Sequence, residues 1–295
     1  MRLGVDFGGT KIEAALLDSN GEIRVRQRVP NPGNYEAAVR AVRDLSERVA
    51  QEGGVAIKTI GVGMPGSLSP ATGLVRNSNS TWLNGKPFFE DLKKALAKPV
   101  RVENDANCFA LSEAVDGAAA GARVVFGAIL GTGCGGGVVV DKKTVEGVNG
   151  VGGEWGHTPL PWPRKDETPV RDWCGRWNCL EQWVSGTGIK RWGGMDGHEA
   201  DQRAQAGDPA ARLALDNLAD RLARSLSIVI DILDPDVIVF GGGLSNIDSL
   251  YASVRGKLIA HVFSDVIRTR VVKNKHGDSS GVRGAAWLFT PEEAQ

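Results

Sequence analysis

Four cysteines in a chain of 295 residues are too few to staple it into a disulfide scaffold. Surplus charge is missing too: 35 basic and 35 acidic side chains cancel, leaving no overall field to draw the protein to nucleic acid or an anionic membrane. No apolar run reaches the roughly 18 residues that span a bilayer. The best stretch, Ser227 to Phe240, is broken by Asp231, Asp234, Pro235 and Asp236. Where a signal peptide would place its apolar segment, Met1 and Arg2 lead straight into a strand-like stretch. These absences predict a cytoplasmic globular protein with neither nucleic acid nor membrane as partner. What the chain has in quantity is glycine, 39 residues, much of it clustered, and the clusters mark where to look.

The length exceeds that of a usual single core and predicts two lobes. Leu3 to Asp6 reads as a buried strand, with a turn at Phe7-Gly8-Gly9-Thr10 and a second strand over roughly Ile12 to Leu17. Ala38, Val39, Val42, Leu45 and Val49 recur at helical spacing between Asn34 and Gln51. A strand over Ile57 to Val62 runs into Gly63-Met64-Pro65-Gly66, and strand-like Val100 to Val102 precedes Glu103-Asn104-Asp105, where a helix begins. Around Val125 the opening pattern starts again: Phe126 to Leu130, the turn Gly131-Thr132-Gly133, then a strand to Val140. The echo predicts lobes of similar build facing each other across a cleft. A long helix from about Pro209 is expected to bury Leu213, Leu218, Leu222, Leu226 and Val229 on one face. The strand Val237 to Phe240 then enters Gly241-Gly242-Gly243, and strands alternating with helices define an α/β protein.

Three glycine turns therefore follow buried strands: Gly8-Gly9-Thr10, Gly131-Thr132-Gly133 and Gly241-Gly242-Gly243. Backbone N–H groups converge on a phosphate most readily where no Cβ blocks the approach. None of the turns fits the Walker or dinucleotide pattern. Each alone is equally at home as a tight turn; three together favour a nucleotide. Asp6, beside the first turn, is placed either to hold Mg²⁺ or to cap the turn.

Asn104-Asp105 has two readings, a helix cap or a carboxylate that accepts a hydroxyl proton. Glu154, His157 and Glu181 are polar candidates for a pocket that must pair every sugar hydroxyl, and equally ordinary surface residues. Cys174 and Cys179, following His157, need one further ligand to close a tetrahedral zinc site. Trp82, Trp155, Trp162, Trp173, Trp177 and Trp183 crowd the same stretches, as loop packing or as a wall excluding a bulky substituent.

Asp6-Phe7-Gly8-Gly9-Thr10-Lys11, Gly61 to Gly66, Glu103 to Asn107, Leu130 to Gly133, Glu154-x-x-His157 and Gly241-Gly242-Gly243 together resemble the motif set of the ROK (repressor, open reading frame, kinase) family, in order and over nearly the whole chain. Asn77 to Gly85 and Lys275 to Gly281 are most similar to its bacterial manno(fructo)kinases. The resemblance implies a two-lobed actin-like ATPase (ribonuclease H-like) fold, divided into a small lobe over 1–115 and a large lobe over 116–295, with the C-terminal helix packing back on the small lobe. It implies an ATP-dependent kinase acting on a hexose, fructose first and mannose with it, with N-acetylglucosamine or glucose as the alternative. A homodimer is implied as well. A sugar-responsive transcriptional regulator is the rival from another class, and the phosphate loop at Asp6 leaves no room ahead of it for a DNA-binding domain.

By the same resemblance Asp105 is the catalytic base, and Asn79, Asn104, Asp105, Glu154, His157 and Glu181 bind the sugar. Gly8, Gly9, Thr10, Lys11, Gly131, Thr132, Gly133, Gly241 and Gly242 bind ATP, with Asp6 near Mg²⁺. Family members hold zinc with the histidine and three cysteines of a Cys-x-Cys-Gly-x-x-Gly-Cys segment. Here Asp172 replaces the first cysteine and Asn178 a glycine, so the implied set is His157, Asp172, Cys174 and Cys179, with the lost glycine expected to alter the turn.

Overall fold

The computed structural model describes residues 1–294. Its opening strand, β1 (Arg2–Phe7), has Leu3, Val5 and Phe7 shut off from solvent together with Arg2 and Gly4, as a central strand covered on both faces requires. β2 (Lys11–Leu17) and β3 (Ile23–Pro30) continue from it antiparallel. Helix α1 (Tyr35–Glu52) starts at Asn34, whose side chain accepts from the Ala37 N–H, and buries Ala38, Val42, Leu45 and Val49. β4 (Ile60–Met64) forms later than the apolar run beginning at Ile57 suggests, because its register is set by pairing Ile60 with both Leu3 and Val100. A small hairpin, β5 (Ser67–Leu68) and β6 (Val75–Arg76), and helix α2 (Phe88–Leu96) lead to β7 (Val100–Asn104) and helix α3 (Asp105–Val115). The first sheet has the order β3-β2-β1-β4-β7, parallel from β1 onward.

The second sheet repeats that order. β8 (Val124–Leu130), β9 (Cys134–Val140) and β10 (Lys143–Thr144) form an antiparallel meander, and β11 (Val237–Gly241) and β12 (Arg270–Lys273) add parallel strands, giving β10-β9-β8-β11-β12. Between them run α4 (Glu181–Val184), α5 (Gly186–Gly193), α6 (Gly197–Gln205) and α7 (Pro209–Leu233); α8 (Ser249–Leu258) precedes β12 and α9 (Ser280–Trp287) follows it. α7 buries Leu215, Leu218, Leu222, Leu226 and Ile230. Leu213, expected on that face, is 61% exposed, because an i, i+4 stripe through Leu218 reaches back to Ala214 and leaves 213 on the solvent side.

The two sheets are joined by exchanged helices. α3 leaves the first sheet and packs on β8 and β9 of the second, whereas α9 leaves the second and packs on β1 and β4 of the first. The helices meet so closely that a Cβ on Gly284 would lie 1.7 Å from the Cys108 carbonyl oxygen. Among the described residues no helix is long and apolar enough to cross a membrane.

Candidate functional site

The C-terminal ends of the central strands of both sheets open on one cavity of about 1110 Å³. It exceeds the roughly 300–1,000 Å³ of a single small-ligand pocket. Pro65, Gly66, Asn79, Asn104 and Asp105 line it from the first sheet's side; Gly131 to Gly136, Glu154, His157, Trp173 and Glu181 line it from the second.

Of the two readings of Asn104-Asp105, the helix cap falls to Asn104: its Oδ1 accepts from the Ala106 N–H at 2.8 Å and more loosely from Asn107, while its Nδ2 donates to the Gly66 carbonyl. Asp105, one residue on, spends one oxygen on the Ala106 N–H. Asp105 is exposed and faces the cavity, inside a cleft whose protein walls displace much of the bulk water around its carboxyl. Loss of hydration first, and then the negative charge of Asp6, push its pKa up to about 7. Asp6 is pushed up to about 6 by burial and by Glu13. The charge of Asp6 bears on Asp105, and two acidic groups that close suit a divalent cation between or beside them.

Asn79, Glu154, His157 and Glu181 all reach the same cavity as Asp105. Glu181 is fixed at both oxygens, accepting the Cys134 N–H at 3.1 Å and the Trp173 indole N–H at 2.7 Å. Gly131, Thr132 and Gly133 line the cavity and are braced by the start of α5, where the Gly186 N–H donates to the Gly131 carbonyl and the Thr187 hydroxyl to that of Thr132. Gly242, with φ +76°, abuts that loop; a Cβ there would come within 2.6 Å of the Leu130 backbone. Asp6, Gly8, Gly9, Thr10, Lys11, Gly241 and Gly242 do not line the cavity itself. The Gly8 turn is closed by the Gly8 N–H donating to the Lys11 carbonyl, with Gly9 and Thr10 exposed.

His157, Asp172, Cys174 and Cys179 offer four ligand atoms within 4.8 Å of one another. The sulfurs are 3.6 Å apart, and His157 Nδ1 lies 3.4 Å from Asp172 Oδ2 without a hydrogen bond, buried and unpaired. A tetrahedron with the usual zinc bond lengths has S–S edges of about 3.8 Å and N–O edges of about 3.3–3.4 Å. Those two edges match zinc, and the chemistry of the four donors suits it. At the position of the missing glycine, Asn178 adopts φ +61°, a left-handed conformation asparagine tolerates, and its Oδ1 accepts from the Val170 N–H at 3.0 Å.

The tryptophans separate. Trp155 and Trp183 are core, Trp82 packs edge-on to Phe7, and Trp162 stacks on His261; only Trp173 lines the cavity. The role of Trp173 as a brace for Glu181 is not legible in the sequence, since indole–carboxylate pairing across a loop has no spacing rule. Gln182, which hydrogen-bonds Asp172, carries no sequence signal for the same reason.

Residues 2–292 match the ROK family, to which the chain therefore belongs. It is 40% identical over 306 residues to an N-acetyl-D-glucosamine kinase of Pasteurella multocida (strain Pm70), covering 98% of this chain and 99% of that one. Among solved structures it resembles a ROK hexokinase from Thermus thermophilus, with TM-score 0.87, 30% identity and coverage of 99% and 98%. A ROK family glucokinase from Streptomyces griseus, solved with glucose and AMPPNP, gives TM-score 0.77 and 28% identity over 97% and 98%. The fold is that of the actin-like ATPases.

Proposed function

We propose that this ROK family sugar kinase transfers the γ-phosphoryl group of ATP to O6 of N-acetyl-D-glucosamine, with Asp105 as general base. The observation that carries the mechanism is Asp105 itself, a cavity-facing carboxyl with a pKa of about 7 at the start of α3, where a base must be half-ready at neutral pH. The sugar hydroxyl gives its proton to Asp105 as its oxygen bonds to phosphorus, and the bond from phosphorus to the bridging oxygen breaks to release ADP. Asn79, Asn104, Glu154, His157 and Glu181 orient the sugar. Glu181 is held for this by Trp173 and the Cys134 N–H. The turns at Gly8 to Lys11, Gly131 to Gly133 and Gly241-Gly242 take the nucleotide, and Asp6 is the residue to hold Mg²⁺, which supplies neutralisation of phosphate charge. Zinc would order the loop that carries His157. The two lobes divide at about residues 115 and 116, so that closing them excludes water from the cleft.

N-acetylglucosamine replaces fructose as the preferred acceptor because the 40%-identical relative, matched end to end, carries that name. The cavity is also large enough for a nucleotide and a substituted hexose together. Sugar-dependent ADP release with MgATP tests this, offering N-acetylglucosamine, glucose, mannose and fructose separately beside a sugar-free blank. Fastest turnover with N-acetylglucosamine is expected. Preference for fructose would keep the mechanism and restore the sequence-based substrate, and no sugar-dependent turnover would remove the kinase reading.

A further inference from the structure

The metal cluster contains a carboxylate where a thiolate would need less guidance. A cysteine sulfur sits directly on Cβ, so its direction follows from the loop; an aspartate oxygen lies one bond farther out, on a group with two competing oxygens. Asp172 is buried, 4% exposed, and its oxygens have different surroundings. Oδ1 accepts from Gln182 Nε2 at 2.6 Å. Oδ2 accepts from the Cys174 N–H at 3.1 Å and is the oxygen facing the unpaired His157 Nδ1. Gln182 is itself held. Its Oε1 accepts from an Arg191 guanidinium nitrogen at 2.7 Å, and its backbone is tied to the Cys179 carbonyl and the Trp192 indole N–H. A guanidinium only donates, so it fixes which end of the amide faces Asp172.

We propose that Gln182, locked by Arg191, is a positioning residue that occupies one oxygen of Asp172 and leaves the other as a single-oxygen ligand, making His157, Asp172, Cys174 and Cys179 a four-coordinate site for a zinc-like ion. The brace is specific to a carboxylate ligand. Gln182 donates to Oδ1 through its amide, and a cysteine at position 172 would give that amide no comparable acceptor. One-oxygen attachment also selects the ion. Calcium and magnesium need six or more oxygen ligands, which this set does not offer, whereas two sulfurs, one nitrogen and one oxygen suit zinc or cobalt. The inference concerns metal binding alone and stands or falls separately from the choice of sugar.

The test uses the full chain stripped with a chelator, titrated with Co²⁺ and then with Zn²⁺ in competition. The wild type is expected to give the intense visible bands of tetrahedral cobalt with thiolate charge transfer, both displaced by zinc. Gln182→Leu should weaken zinc binding by about 10–100-fold, the usual cost of removing an orienting partner, and shift the cobalt bands. Arg191→Met, at an exposed position that leaves folding intact, should move both readouts in the same direction by less. In an Asp172→Cys background, adding Gln182→Leu should change zinc affinity by no more than about twofold, the scatter of independent sites. The proposal is overturned if Gln182→Leu and Arg191→Met both keep wild-type affinity and spectrum. It is also overturned if Gln182→Leu costs as much in the Asp172→Cys background as it does with the aspartate in place, which would mark a structural role only, or if the wild type binds neither ion.

Discussion

At the scale of single residues, the decisive feature is a carboxyl whose charge the fold resists. Asp105→Asn removes the proposed base but keeps the shape, so it should lose about 10²–10⁴-fold in turnover while its circular dichroism stays that of the wild type; near-normal turnover would take the role from Asp105. The base must be ionised to work, so kcat/KM should rise with pH along an acid limb near the Asp105 pKa of about 7, instead of the ordinary carboxylate range. Asp6→Asn withdraws one like charge and should move that limb to lower pH; a limb that stays put would show that burial and Glu154 set it without Asp6. Stability follows with the opposite sense to a salt-bridged acid. A raised pKa means that the folded state holds the proton more tightly than the unfolded chain. Stability contributed by Asp105 is therefore full below about pH 4, and declines as pH rises toward 7. Asp105→Asn should then melt above the wild type at pH 8, and this difference should vanish in thermal scans at pH 4.

At the scale of elements, the exchange of α3 and α9 is the joint of the molecule, and it rests on closeness. Gly284→Ala would push a methyl group into the Cys108 carbonyl, against backbone that cannot give. Overpacking of this kind costs about 1–3 kcal/mol and sometimes more, so chemical denaturation should show a loss at or above the top of that range. A loss under about 1 kcal/mol, the bottom of that range, would mean that the helices can part. The sequence makes some of this plain and hides the rest. β1, β8 and β11, the start of α3 and the three glycine turns are legible because a buried strand followed by glycine, and an Asn-Asp before an apolar helix, are local patterns. The close approach of Gly284 to Cys108, the pairing of Trp173 with Glu181 and the Arg191–Gln182–Asp172 chain depend on residues brought together from separate elements, which no periodicity records. Leu213 misleads for a smaller reason: a single apolar residue one helical step outside the stripe looks like part of it.

At the scale of the whole molecule, the same five-strand order occurs twice, and the cavity lies where the strand ends of both sheets converge. Its walls belong to different halves: Asn79, Asn104 and Asp105 on one side, the Gly131 turn, Glu154, His157 and Glu181 on the other. A sugar gripping both walls binds most tightly when they approach, so its binding free energy has a direct route into closure. The Gly8 turn, proposed to take phosphate, lies outside the cavity lining, with Gly9 and Thr10 exposed, and approach of the halves would bring it toward the cavity. The α3–α9 crossing, as the packed contact between the halves, is where such a motion would pivot. Small-angle X-ray scattering should accordingly show the radius of gyration falling when N-acetylglucosamine is added, and falling further with a non-hydrolysable ATP analogue. Wild-type ATP hydrolysis without sugar should be slow, because the open cleft leaves the nucleotide away from Asp105. An unchanged radius of gyration with both ligands bound would show a preformed site, and the exposed first turn would then need another account.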